Sequence, residues 1–216
     1  MQVTAQPQLP PNLTQLANLS AALAQDESLS GFTADNQDVS RVTAKAANIS
    51  EAKLNKSSLA EADLERMGFA DTTLIRCDMT ATNCADASWR RVVLNNVRGS
   101  GIKLQTTSLQ DVVFENCKLD LANFRFSKLK RVAFKDCVLD EADFYSAELS
   151  NVSFRNCSLN KTTFSAVKCK VVDLRGSDIT GILGLEGLAG TTIDSIQLVS
   201  ISHRLASTLK IHVTDE

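Results

Sequence analysis

The sequence predicts an all-β solenoid, a parallel β-helix of about seven square coils of twenty residues, closed by a C-terminal capping helix. Three observations predict it. Between Phe114 and Phe164 every fifth residue is large and apolar, Phe and Leu taking turns. Two positions before each stands a smaller residue, among them Val112, Cys117, Ala122, Ser127, Val132, Cys137 and Cys157. A longer period of twenty runs through the same stretch, in Val112, Val132, Val152 and Val172 and in Cys117, Cys137 and Cys157. A helix buries one face near every 3.6 residues and a flat strand buries alternate residues, so a sustained five fits neither. Five residues can form one short extended side and a turn, and four such sides close a square. A slip of one residue would turn every column outward, which makes the pattern self-consistent.

Along the chain, residues 1–38 read as a lead-in and cap. Pro7, Pro10 and Pro11 mark an extended start, and Leu13, Leu16, Leu19 and Leu23 then fall at helical spacing. A short helix there would cover the first coil, since an open β edge invites unwanted pairing. The β-helix is assigned to 39–184. Gln37 is an awkward inward residue at its threshold, and from Ile49 the large sites are clear: Leu54, Leu59, Leu64, Phe69, Leu74, Met79, Cys84, Trp89 and Leu94. Gly99 breaks the rule, which predicts either a local bulge or loop, or a gap filled by Met79 and Leu119. Past Ile179 four glycines, Gly181, Gly184, Gly187 and Gly190, release the phase. Residues 185–216 form the last segment. Asp194 or Ser195 is an expected N-cap, and Leu198, Ile201, Leu205 and Leu209 fall on one face with Val199 beside it. That face either caps the last coil or joins two copies in a homodimer.

The segments "EADLE" around Leu64, "LANFR" around Phe124 and "EADFY" around Phe144 resemble the repeat A-(D/N)-L-x-x. The chain thereby resembles the pentapeptide repeat proteins, and the resemblance implies a right-handed quadrilateral β-helix. It also implies a C-terminal end like "DLRGSDI" followed by Gln197, a helix and a short apolar strand, which in some relatives mediates a homodimer.

Composition bounds the function. The chain has 216 residues, 44% apolar and 22% charged, with a net charge of −2. That excludes a disordered chain and a polybasic nucleic-acid binder. Cys77, Cys117, Cys137 and Cys157 occupy the small inward site, and Cys84 and Cys169 the large one, so all six read as packed free thiols rather than disulfides or zinc ligands. No signal peptide or membrane span is legible, and a reducing cytoplasm is the expected compartment. No nucleotide loop, metal motif or nucleophile elbow appears, so neither a catalytic residue nor a cofactor is expected, and the chain is not expected to be an enzyme.

Between Arg90 and Asp136 ten basic residues face four acidic ones. Within that band Arg125, Lys128, Lys130, Arg131 and Lys135 form a candidate basic surface. The expected role is a non-catalytic protein-interaction scaffold whose partner is another protein. The alternative is a nucleic-acid-related role: the resemblance points to relatives that imitate a DNA duplex and protect topoisomerases. The near-neutral charge and basic middle of this chain depart from that pattern.

Overall fold

The computed structural model describes residues 4–25 and 28–214, and in it the chain winds as a parallel β-solenoid of square section. One continuous sheet runs through β1 (Thr14–Gln15), β3 (Phe32–Asp35), β4 (Asn48–Asn55), β5 (Gly68–Ile75), β6 (Ser88–Asn95), β7 (Ser108–Glu115), β8 (Lys128–Lys135), β9 (Glu148–Arg155), β10 (Lys168–Asp173) and β11 (Thr191–Thr192). The short β2 (Ser28–Ser30) pairs with β4. From β4 to β10 the partners lie twenty residues apart, so Phe114 meets Phe134 and Phe134 meets Phe154. Each of β4 to β9 rounds one corner and so serves two faces. The remaining two faces are held by single bridges such as Lys118 to Val138 and Asn123 to Asp143. The faces are called below by one of their large residues: Leu109, Phe114, Leu119 and Phe124.

The solenoid makes about nine turns, not seven, and it starts ahead of residue 39. The extra rungs escape the repeat because their offsets differ: Thr14 pairs with Phe32, eighteen residues on, and Val172 with Thr191, nineteen on.

The period of five is the packing. Leu109, Phe114, Leu119 and Phe124 are fully buried, one from each side of the square. Full burial of such a side chain contributes about 1.5–3 kcal/mol, and the columns repeat it at every rung. Phe114, Phe134 and Phe154 stack with centroids 4.8 Å apart, and Phe124 lies 4.6 Å from Phe144. The two columns meet edge to face across the interior, Phe124 to Phe134 at 5.9 Å and 90°. The stacking distance is the rung spacing itself, about 4.7–4.9 Å. Trp89 is buried in the same way, edge-on to Phe69.

The small site has a second duty. Several of its hydroxyls and thiols donate to the carbonyl of the large residue 23 positions earlier: Thr82 to Leu59 at 2.7 Å, Thr107 to Cys84 at 2.9 Å, Thr162 to Leu139 at 2.7 Å, and Cys137 to Phe114 at 3.5 Å. This explains why Ser, Thr and Cys share that column with Ala and Val.

Every fifth residue from Gly31 to Gly176 lies in the left-handed region, with φ between 50° and 78°. These are the corners. Most are not glycine, and they include Leu121, Phe126 and Val171, where the left-handed conformation costs about 1–2 kcal/mol each. The ladder on either side holds them there.

Gly99 introduces no loop. Its N–H donates to Lys118 O at 2.7 Å, and the rung is intact. A Cβ on Gly99 would stand 3.0 Å from Leu119 and 3.7 Å from Ile102, so Leu119 together with a large residue at the small site fills the gap.

At the N-terminal end, α1 (Leu19–Gln25) buries Leu19 and Leu23 in the core. It is shorter than the leucine spacing suggests, since Leu13 and Leu16 precede it. Gln37 is the adapter: its side chain accepts from Leu19 N–H at 3.2 Å and donates to Asp35 O at 3.3 Å. Residues 4–13 form a strap along the corner between the Leu109 and Phe114 faces. Ala5 N–H donates to the Asp111 carboxylate at 3.2 Å, and Gln8 N–H to Asp71 at 2.9 Å. Thr4, Pro7, Pro10, Leu13 and Leu16 are half-buried while the two residues between each pair are exposed. A period of three is that of a polyproline II strand.

Candidate interaction surfaces

Because the interior is filled, chemistry toward other molecules is left to the residues flanking each large site and to the corners. The period of twenty sorts their charges by face. The outward positions of the Leu109 face carry Arg90, Lys128, Lys130, Lys168 and Lys170 against the one acid Glu148. Those of the opposite Leu119 face carry Asp38, Asp78, Asp120, Asp140 and Asp178 against Arg98 and Lys118. The prism is therefore basic on one side and acidic on the other, although the chain as a whole is near neutral.

The candidate basic surface does not stay together. Arg125 belongs to the Phe124 face and donates to Asp143 at 2.8 Å. Arg131 is a corner residue whose guanidinium clasps Asp111 with two bonds of 2.6 Å. Lys135 lies on the Phe114 face. Lys128 and Lys130 share the Leu109 face, where Lys168 and Lys170 join them from forty residues further on. Adjacency in the sequence put those two outside the band; counting in twenties brings them in.

Two buried corner carboxylates pair with half-buried guanidiniums along one edge, Asp71 with Arg91 and Asp111 with Arg131. The bonds from Arg91 and Arg131 hold the two carboxyls below the usual carboxylate range, and the strap's N–H groups act in the same direction.

The sequence reading passed over an exposed aromatic cluster. Phe126 is a left-handed corner at φ 59°, about half exposed, and its ring meets that of Tyr145 edge-on at 5.7 Å. The Arg125 guanidinium lies 4.5 Å from the Tyr145 centroid and 5.5 Å from that of Phe126. Leu121, at the preceding corner of the same coil, is also exposed. The signal was present as a large apolar residue at a corner, outside the inward phase.

The C-terminal helix α2 (Ser195–Thr208) starts as expected at Asp194, whose side chain accepts from Gln197 N–H within a capping box. Its inward stripe keeps Ile201 and Leu205 of the expected face but starts at Gln197 in place of Leu198 and leaves Leu209 out. Gln197, Ile201 and the half-buried Leu205 face the last coil, while Leu198, Val199 and Leu209 are exposed. The Gln197 amide donates to Leu174 O and to Ser177 O, each at 2.7 Å. Leu174 lies 23 residues before it, so Gln197 fills the place of the next coil's small-site donor. Arg204 caps Thr180 O at 2.6 Å and also donates to Ile182 O. Ile196 and Val199 lie outward, 81% and 74% exposed.

All six cysteines are free thiols. Burial pushes the Cys77 and Cys84 thiols up, and that of half-buried Cys169 to about 11. Among the described residues no three His, Cys, Asp or Glu side chains gather as a metal site, and no helix is long and apolar enough to cross a membrane.

Comparison with known proteins places this geometry. The family model described as a pentapeptide repeat region matches residues 68–144 and 107–182, and the model of pentapeptide repeats in eight copies matches residues 47–83. A search of curated proteins gave no match. Similar solved structures include HetL, a pentapeptide repeat protein involved in heterocyst differentiation regulation from the cyanobacterium Nostoc sp. strain PCC 7120. It is 14% identical over 82% of this chain and 94% of its own, with a TM-score of 0.48. A trypsin-treated form of QnrB1, a plasmid-mediated fluoroquinolone resistance protein, is 17% identical over 94% of this chain and 97% of its own, with a TM-score of 0.46. Rfr23, a pentapeptide repeat protein of the cyanobacterium Cyanothece 51142, is 13% identical over 81% and 96%, with a TM-score of 0.28.

Proposed function

The chain belongs to the pentapeptide repeat family, and from that premise we propose that it is a non-catalytic protein-interaction scaffold. The observation that carries this reading is the Phe126, Arg125 and Tyr145 cluster. Arg and Tyr are among the residues enriched where binding energy concentrates, and a stiff ladder presents them with little ordering cost. The ladder holds every corner in the left-handed region, so what sets Phe126 apart is a large ring left half exposed outside the core. The duplex-mimic alternative needs a continuous acidic surface; the acidic Leu119 face is interrupted by Arg98 and Lys118, and the opposite Leu109 face is basic.

Affinity capture from native extract with the full chain tests the reading. The variant is Phe126→Asn, since Asn accepts the left-handed corner. A protein retained by the native chain and lost with Phe126→Asn, at a melting temperature that is not lowered, supports the scaffold. An identical set of captured proteins refutes the role of the cluster.

We further propose a twofold homodimer through the outward side of α2, where Ile196, Leu198 and Val199 are exposed beside Leu209. Twofold closure is the commonest symmetry of soluble oligomers. Sedimentation of the full chain should give a dimer and Val199→Glu a monomer; a native monomer at micromolar concentration overturns it. The six free thiols suit a reducing cytoplasm, which is the compartment we propose.

A further inference from the structure

On the Leu109 face, the row of outward residues nearest the strap reads Arg90, Gln110, Lys130, Ser150 and Lys170, each in register with the next. The three cations are exposed and recur at every second rung, with a neutral residue between. Rungs are about 4.8 Å apart, so the cations repeat at about 9.6 Å along the axis. The other outward row of this face differs, because Glu148 separates Lys128 from Lys168 and binds Lys168 at 3.3 Å.

The strap shows what kind of chain follows that repeat. Ala5 and Gln8 are three residues apart, and they bond to Asp111 and Asp71, which are two rungs apart. Three residues of polyproline II rise about 9.3 Å, close to two rungs. An extended chain laid along this prism therefore presents every third residue to every second rung. We propose that the Arg90, Lys130 and Lys170 row is a docking site for an extended acidic protein segment with a carboxylate at every third residue. It would lie beside and parallel to the axis of the strap. This deepens the scaffold reading and rests on it for the class of partner.

The spacing also argues for a protein segment over nucleic acid. Every third phosphate on a duplex strand advances about 10 Å along the axis but has also turned about 100° around it, so a straight row of cations does not follow the strand. A duplex is also wide enough to feel the chain's net charge of −2 beyond the one basic face.

The test uses the full chain and labelled twelve-residue peptides in fluorescence anisotropy at low salt. One peptide repeats Glu-Pro-Pro four times; the other carries the same four glutamates at alternate positions, then prolines. Proline holds both extended. The three-residue spacing is expected to bind at least about fivefold tighter, and Lys130→Glu to weaken it about tenfold, as for reversal of one charge in a contact row. Lys170→Glu is the second variant, with the same expected loss. Lys103→Glu, an exposed lysine on the Phe124 face, should leave binding unchanged. Unchanged melting temperatures exclude unfolding as the cause. Equal affinity for the two spacings, no binding, or tighter binding of a twelve-nucleotide oligothymidylate each overturns the proposal. Such a failure alongside loss of capture in Phe126→Asn would overturn this site and leave the scaffold reading standing.

Discussion

Removing one ring from the middle of the aromatic ladder is the sharpest perturbation of this architecture. Phe134 is fully buried, stacked at 4.8 Å on Phe114 above and Phe154 below, and edge-on to Phe124 at 5.9 Å and Phe144 at 6.3 Å. Phe134→Ala removes the transfer energy of the ring and leaves a cavity, together about 3–5 kcal/mol. The upper half of that range is expected, because the surrounding rings are fixed by a rung spacing that backbone hydrogen bonds set, so the site cannot collapse. Two parallel stacks, each worth about 0.5–1.5 kcal/mol, also disappear. The assay is urea unfolding followed by the fluorescence of Trp89, the single tryptophan. The neighbouring substitution Lys135→Ala, on an exposed side chain, should cost within about 0.5 kcal/mol. Solenoid stability is a sum of neighbour terms, so the Phe134→Ala cavity should also separate the two halves into distinguishable transitions. A loss below about 1.5 kcal/mol, or one matched by Lys135→Ala, refutes the columnar packing.

Three further outcomes follow from the ends and corners. Gln197→Ala strands Leu174 O and Ser177 O at the end of the solenoid and should cost about 1–3 kcal/mol, read as a lower unfolding midpoint with early loss of the last rungs. Val171→Asn should stabilise by about 0.5–1 kcal/mol in thermal unfolding, because a β-branched residue at φ 58° gives way to one that tolerates it. Acid should loosen the strap: Asp71 and Asp111 have depressed carboxyl pKa values, so their stabilisation is full above the unfolded value of about 3.9 and is lost as pH falls below it. Amide exchange at Ala5 and Gln8 should rise over that window, and Asp111→Asn should flatten the dependence at Ala5.

The sequence by itself determined the architecture, because a large residue every five positions and columns every twenty admit one packing. It put Phe114, Phe134 and Phe154 in one column and the cysteines inside, and it narrowed the cap of the last helix to Asp194 or Ser195. It did not announce the corners, since the left-handed positions hold Arg, Glu, Leu and Val as readily as Asn; the ladder enforces that conformation, not local preference. Nor did it divide the charge correctly while residues were grouped as neighbours: the fold brings Lys130 and Lys170 into one row, and Arg125 and Arg131 part. The sequence announced a helix at each end, but how each end closes was decided by tertiary structure. There the offsets leave twenty, Gln37 and Gln197 substitute for missing rungs, and the amide of Gln197 rather than Leu198 faces the last coil beside Ile201 and Leu205. The physical reason is common to both ends. Inside the solenoid each rung repeats the hydrogen-bonding needs of the one before, so a period encodes it; at a terminus the open carbonyls and N–H groups must be met by whatever side chain reaches them, and no period records which one does.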